Sequence, residues 1–190
     1  MMKKLSLTYR FLRFIGLNYS EEEYGDVSLF KFFGNMYHAF LLSMMNWVIF
    51  EPINPRMLRP FLLRRLGCKV GKGVFIGDHV VVDENHADHI ILEDHVHIAS
   101  GTRLLCHQRD LSNYCVGDDY AKLGYKLGII HMKKGSLVGM ESFIMPGVTI
   151  GEGAIVGAGS LVTKDIPAWT VAAGRPAKVV KEIPQRISVK

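Results

Sequence analysis

Between Met132 and Ile166 the apolar positions recur every sixth residue, at Met132, Val138, Ile144, Ile150, Val156 and Val162. Four places after each stand Ser136, Ser142, Val148, Ala154, Ser160 and Ile166, nearly all of small or modest volume. Glycine often follows the aliphatic, as at Gly139, Gly151 and Gly157. A helix repeats its apolar face about every 3.6 residues and a half-buried strand about every 2, so neither produces sixes. A period-six beat predicts a parallel β-helix of short flat strands, with three hexads closing one triangular coil. Each aliphatic points inward onto its equivalents above and below. One coil cannot bury its own apolar side, so coils must stack.

The same beat opens at Val70, Ile76 and Val82, with Val74 and Val80 four places on. It slips across the stretch DENHADHI, which predicts a bulged or looped turn, and resumes at Leu92, Ile98 and Leu104. From about residue 105 to 131 it disappears. That stretch is too long for a tight corner and too polar and glycine-rich for a coil, which predicts a loop excursion. Long excursions from a rigid scaffold tend to carry function. Pro167 ends the repeat, and VAAGRPAKVVKEIPQR predicts a last strand, a turn at Gly174–Pro176 and a short basic cap. The all-β solenoid is therefore expected over 67–183, with a tail at 184–190.

Residues 1–66 follow a different pattern. Ser20 before Glu21, Glu22 and Glu23 predicts a helix N-terminus. Leu29, Phe33, Met36, Phe40, Met44 and Trp47 or Val48 predict a helix over 29–50, ended by Pro52 and Pro55. Such a helix packs on the solenoid end or a neighbouring subunit, or lies in a membrane interface. Its polar insertions and length disfavour a membrane span. The stretch RMLRPFLLRRLGCK, basic and apolar together and broken at Pro60, is expected to cap the first coil or to meet a lipid surface.

The chain has 190 residues, 48% of them hydrophobic, enough for one domain with a substantial core and an appended segment. A net charge of +5 suits an anionic partner such as a phosphorylated cofactor or an acidic membrane. No basic stripe with interleaved aromatics accompanies it, so nucleic acid is not expected. Three cysteines, Cys68, Cys106 and Cys115, without paired spacing imply reduced thiols and a cytoplasmic location, with the inner face of the membrane as the alternative. Arg10 and Arg13 interrupt the apolar start, so no secretory leader is expected.

The segment GSLVGMESFIMPGVTIGEGAIVGAGSLVTKDIPAWTVAAGRPAKVVKEI, preceded by a long excursion after a histidine, resembles the hexapeptide-repeat acyltransferases. Within them it is most similar to the maltose/galactoside and polysaccharide-biosynthesis O-acetyltransferases. The likeness covers roughly residues 70–183. It implies a left-handed parallel β-helix, a handedness opposite to the usual crossover rule and so taken from the resemblance alone. It also implies a homotrimer, acetyl-CoA as co-substrate and a sugar or glycan-precursor hydroxyl as acceptor. Transfer would occur by direct attack in a ternary complex, with no metal and no acyl-enzyme.

Residue by residue, the resemblance implies His107, in LLCHQRD at the mouth of the excursion, as general base. Members of the family this chain resembles commonly carry an acid directly after this histidine. Here Gln108 follows, and Asp110 is the nearby candidate to orient the ring. The backbone N–H of Met140 matches the oxyanion donor. Gly139, Gly157 and Ala158 match positions where the pantetheine passes close to the backbone. Thr163 and Lys164 match a cofactor contact pair, Lys178 and Lys181 match phosphate-facing cations, and Arg175, basic beside them, is expected either to meet the phosphates or to belong to a solvated cap. Asp83 and Asn85, in the slipped turn, are candidates to bind acceptor hydroxyls.

Two readings of other classes stand beside this one. His79, His86, His89, His95 and His97 crowd the first coils, and a γ-class carbonic anhydrase would use three histidines to hold zinc. His95 and His97 are expected to share an outward strand face, because Leu92 and Ile98 hold the inside. The third reading is a non-catalytic solenoid that docks at a membrane through 29–66.

Overall fold

The computed structural model describes residues 7–14, 28–47, 53–83 and 85–185. The chain divides into two units, Met1–Ser43 and Met44–Lys190.

The first unit holds helix α1 (Leu7–Phe14) and all but the last residue of α2 (Leu29–Met44). Both helices leave large apolar side chains exposed: Leu7, Phe11 and Phe14 on α1, and Phe30, Phe33, Met36, Tyr37 and Phe40 on α2. The helix expected over 29–50 stops at Met44, short of the prolines. Just past its end, the Met45 carbonyl accepts from Asn54 Nδ2 at 3.0 Å and Arg59 Nε at 2.8 Å. The expected helix start at Ser20 and the stretch 48–52 lie outside the described residues.

In the second unit a π-turn, Asn54–Leu58, runs directly into α3 (Arg59–Arg65). Pro60 sits in the first turn of α3, where its missing N–H costs nothing. Leu62 and Leu63 are fully buried. Arg64 donates from Nε to the Val70 carbonyl and from Nη2 to the Gly71 carbonyl. Buried Arg59 reaches the Ile76 carbonyl at 3.2 Å. The basic, apolar stretch thus caps the first coil, with its guanidinium groups closing carbonyls that no further strand satisfies.

Four coils follow, each contributing one short strand to each of three faces. The first holds β1 (Lys69–Val70), β2 (Phe75–Ile76) and β3 (Val81–Val82). The second holds β4 (Ile90–Leu92), β5 (His97–Ile98) and β6 (Arg103–Leu104). After an excursion come β9 (Ile130–Met132), β10 (Leu137–Val138) and β11 (Phe143–Ile144), then β12 (Thr149–Ile150), β13 (Ile155–Val156) and β14 (Leu161–Val162). Strands pair in parallel as β1-β4-β9-β12 on face A, β2-β5-β10-β13-β15 on face B and β3-β6-β11-β14 on face C, where β15 is Thr170–Gly174. Register is in phase: Val70 faces Leu92, Leu92 faces Met132, and Met132 faces Ile150. From Ile76 to Val162, all but one of the residues that carry the beat are 1% exposed or less; Val82 is 3%. The small positions Ser136, Ser142, Ala154 and Ser160 are likewise at 0%.

The excursion is more ordered than a loop. Strands β7 (His107–Arg109) and β8 (Tyr125–Leu127) form an antiparallel ribbon, with His107 opposite Leu127 and Arg109 opposite Tyr125. Asp119 caps a short 3-10 turn, Tyr120–Lys122, by accepting from the Ala121 N–H. The core resumes at buried Ile130, inside the stretch assigned to the excursion. At the far end, β16 (Ala177–Glu182) turns back antiparallel on β15, so the expected basic cap is itself a strand.

Candidate functional site

The beat fails twice, after Val82 and after Leu104, and both residues end strands of face C. Successive coils are therefore irregular at the same corner, between faces C and A. The extra residues of the first failure form a 3-10 turn, Ala87–His89; those of the second form the ribbon. Stacking these insertions brings Asp83, His86 and His107 together.

Asp83 is the hub, its side chain 2% exposed. Its Oδ2 accepts the Cys106 N–H at 3.2 Å and a hydrogen bond from His107 Nδ1, while Oδ1 accepts from His86 Nδ1 at 3.1 Å. Burial pushes its carboxyl upward, but the bonds from His107 and His86 outweigh that and hold it below the usual range. An ionised carboxylate only accepts, so it selects the tautomer that carries the proton on Nδ1 and leaves Nε2 of His107 basic. The His107 ring lies 5.2 Å from that of His86 and edge-on to Tyr125 at 5.1 Å. Tyr125 in turn stacks under the Arg109 guanidinium at 4.2 Å. The His107 side chain is 36% exposed, open enough to meet a substrate.

Asp110, expected to orient the ring, instead accepts from the N–H and hydroxyl of Ser112. Asp83, expected to meet acceptor hydroxyls, holds the imidazole. Sequence reasoning missed this because the two residues are 24 positions apart and join only through coil stacking. The signal available was that both interruptions of the beat follow a face-C strand. Asn85 is exposed on the same corner. Burial raises the Cys106 thiol to about 12, with Asp83 and Asp88 adding to the shift, so it stays protonated at neutral pH and supplies no thiolate. On the ribbon, Gln108, Arg109, Asp110, Leu111, Ser112 and Lys126 line an open pocket of about 360 Å³.

Of the other histidines of the first coils, His89 packs against His86, and His79, His95 and His97 lie elsewhere. His79 and His95 occupy corners with φ of 53° and 59°, so His95 does not share a strand face with His97. His97 stacks on Phe75 at 4.1 Å, and burial, assisted by the Arg56 charge, pushes it below the ordinary histidine range. Among the described residues, the set whose ligand atoms all fall within 4.8 Å of one another is Asp83, His86 and His107. Two imidazoles and a carboxylate can take a divalent cation.

Gly139 and Met140 follow β10, and Gly157 and Ala158 follow β13, so these four stack at the corner between faces B and C. A Cβ on Gly139 would lie 2.5 Å from Ala158 N, which gives this glycine a packing reason of its own. The Met140 carbonyl accepts from Gly159 N at 2.7 Å; its N–H has no acceptor among the described residues, and its side chain is exposed. Arg175 lies over the Phe143 ring of face C at 5.3 Å. Thr163 and Lys164 follow β14 at the corner between faces C and A, two coils beyond His107, and both are exposed. Lys178 and Lys181 are exposed along β16, opposite Ala173 and Val171. Within one chain, then, His107 and Met140 stand on different corners.

Residues 130–164 match the family described as "Bacterial transferase hexapeptide (six repeats)". A stretch of 61 residues is 52% identical to "Putative acetyltransferase SAV2555" of Staphylococcus aureus (strain Mu50 / ATCC 700699), covering 32% of this chain and 31% of that protein. A stretch of 46 residues is 56% identical to 2,3,4,5-tetrahydropyridine-2,6-dicarboxylate N-acetyltransferase of Staphylococcus aureus (strain bovine RF122 / ET3-1), covering 24% and 19%. The chain thus spans about a third or less of the length of these curated relatives. A maltose O-acetyltransferase from Clostridium difficile 630 superposes with a TM-score of 0.61 at 24% identity, over 80% of this chain and 87% of that one. A hexapeptide-repeat containing acetyltransferase from Vibrio cholerae gives 0.58 at 24%, over 80% and 91%. The fold is the left-handed parallel β-helix of these proteins.

Proposed function

We propose that this chain, which carries bacterial transferase hexapeptides on a left-handed parallel β-helix, is an acetyltransferase that moves an acetyl group from acetyl-CoA to a hydroxyl of a sugar or glycan precursor. The observation that carries this reading is the buried Asp83 carboxylate bonded to Nδ1 of partly exposed His107. His107 Nε2 takes the acceptor hydroxyl proton as the oxygen attacks the thioester carbonyl carbon. The Met140 N–H stabilises the resulting oxyanion. The carbon–sulfur bond then breaks, the acetyl ester leaves on the acceptor, and the imidazolium returns its proton to the departing thiolate. Asp83 steadies the imidazolium between those two transfers. The protonated state of Cys106 favours this direct route over an acyl-enzyme.

His107 and the Met140 N–H occupy different corners, so the reaction requires a second copy of the chain to bring one against the other. A ring of three copies, each presenting its C/A corner to a neighbour's B/C corner, satisfies this with one repeated contact. The cofactor lies in that crevice, its pantetheine along Gly139, Gly157 and Ala158 and its phosphates near Thr163, Lys164, Arg175, Lys178 and Lys181. The ribbon, with its open pocket, shapes the acceptor site.

Among the described residues no helix is long and apolar enough to cross a membrane. The exposed aromatics of α1 and α2, with Arg10 and Arg13 beside them, support peripheral contact with an anionic bilayer, which flotation with and without residues 1–43 tests.

Replacing His107 by Ala is expected to lower acetyl transfer by about 10²–10⁴-fold, with acetyl-CoA binding retained. Thiol release across a panel of sugar acceptors, together with acetyl-CoA titration, measures both. Unchanged turnover removes His107 as the base. The Asp83–His86–His107 cluster also supports a metal-dependent second reading, which predicts bound divalent cation in the purified protein and activity that chelators abolish.

A further inference from the structure

We infer that His86 is a positioning residue for the proposed base: it fixes the Asp83 carboxylate, and through it the His107 ring. This inference rests on the acetyltransferase reading for its kinetic consequence, though not for its geometry.

Asp83 is a buried anion with two oxygens to satisfy. Oδ2 has the Cys106 N–H and His107. For Oδ1, the His86 Nδ1–H is the donor found among the described residues. Without it, that oxygen would be a buried charged acceptor lacking a partner. The carboxylate would then turn toward water or take a proton, and in either case Oδ2 would leave its line to His107. A carboxylate anchored at one oxygen pivots; one anchored at both does not.

His86 is itself held firmly. The 3-10 turn ties its backbone at both ends, His86 N to the Asp83 carbonyl at 3.3 Å and His89 N to the His86 carbonyl at 3.0 Å. Its ring packs edge-on against His89 at 5.8 Å, and His89 Nδ1 is fixed by Asp88 at 3.0 Å. The other face of the site is closed by Tyr125, so His107 is confined between two rings. The four extra residues in the first failure of the beat thus have a use: they lift a second imidazole over the carboxylate.

Two substitutions separate donor from ring. Asn places an amide N–H near the position of Nδ1, so His86→Asn keeps the donor and loses the ring. His86→Phe keeps the ring and loses the donor. In protein labelled with ¹⁵N-histidine, the low-field Nδ1–H signal of His107, assigned by its loss in His107→Ala, is expected to persist in His86→Asn and vanish in His86→Phe. Acetyl transfer to whichever sugar the unaltered protein accepts is expected to follow, with kcat falling about tenfold in His86→Phe and within about threefold of the original in His86→Asn, KM for acetyl-CoA unchanged in both. A His107 signal that survives His86→Phe overturns the inference. So does a loss of equal size in both variants, which would make the ring's packing the cause. If His107→Ala leaves transfer intact, the base reading fails instead, and the imidazole signal still decides whether His86 holds the carboxylate.

Discussion

Ser136 and Ser160 stand at equivalent places in the hexad and are both fully buried, yet their hydroxyls differ. The Ser160 hydroxyl donates to the Gly157 carbonyl at 2.6 Å and accepts from Gly174 N at 3.2 Å. The Ser136 hydroxyl finds no partner among the described residues. A buried hydroxyl without a hydrogen bond costs free energy, whereas a bonded one leaves orphans when removed. Ser136→Ala is therefore expected to be neutral or to stabilise by up to about 1 kcal/mol, while Ser160→Ala loses about 0.5–1.5 kcal/mol, because the Gly157 carbonyl keeps the Ser142 hydroxyl. Denaturant midpoints measure both, and equal losses would contradict the difference in bonding. The hexad makes the two serines alike; only the neighbouring coils tell them apart. The same holds for Asp83, an ordinary polar residue in the sequence until stacking places it under two imidazoles.

Among the elements, the corners carry the most backbone strain. They take positive φ at intervals of six residues from Gly135 through Glu141, Gly147 and Gly153 to Gly159. At Gly147 a Cβ would meet nothing within 4 Å, so Gly147→Ala costs only the left-handed conformation, about 1 kcal/mol. At Gly153 a Cβ would lie 2.6 Å from the Trp169 ring, whose backbone carbonyl accepts from Ile183 N at 2.7 Å. Gly153→Ala is expected to cost at least about 1 kcal/mol more than Gly147→Ala, by displacing the tryptophan that anchors β15 and β16. Thermal melts of the two variants compare them. Equal melting temperatures would mean that the tryptophan yields freely. Element boundaries were less legible than element identity. Just past the end of α2 the Met45 carbonyl is held by donors 9 and 14 residues away, a contact no local pattern encodes. The ribbon looked like a loop because its apolar residues, Tyr125 and Leu127 among them, are exposed and leave no buried period to read.

Across the whole solenoid, acidic side chains clamp successive coils. Asp78 bonds Ser100, Asp83 bonds His107, and Glu93 bonds His131 at 2.7 Å and Lys134 N at 3.0 Å. The Ser100 bond, followed by His79, lowers the Asp78 carboxyl; for Glu93, burial raises it, but the Lys134 N–H and His131 lower it further. Each folded carboxyl thus lies below its unfolded value. Its stabilisation is complete above about pH 4 and is lost as pH falls from there through the folded values. His97 is also depressed when folded, so the unfolded chain takes its proton first and stability begins to fall below about pH 6.5. Melting temperatures from pH 8 to pH 3 are expected to show a shallow decline below about 6.5 and a steep one below about 4. His97→Phe, which keeps a ring over Phe75, removes the shallow step; its persistence would place the effect elsewhere.

The sequence alone determined the solenoid, its three-faced coils and the points where the beat is interrupted. An inward position repeated every six residues has no other way to bury itself, so a local pattern suffices. It marked His107 as a candidate through a resemblance to the hexapeptide-repeat acyltransferases and the point where the beat stops. Tertiary structure decided what stands around that histidine. The slipped turn and the ribbon share a corner only because coils stack in phase, and no residue-to-residue spacing encodes which side chains of successive coils meet there. Asp83 and His86 reach His107 by that route, since a hydrogen bond across coils depends on register between strands far apart in the chain.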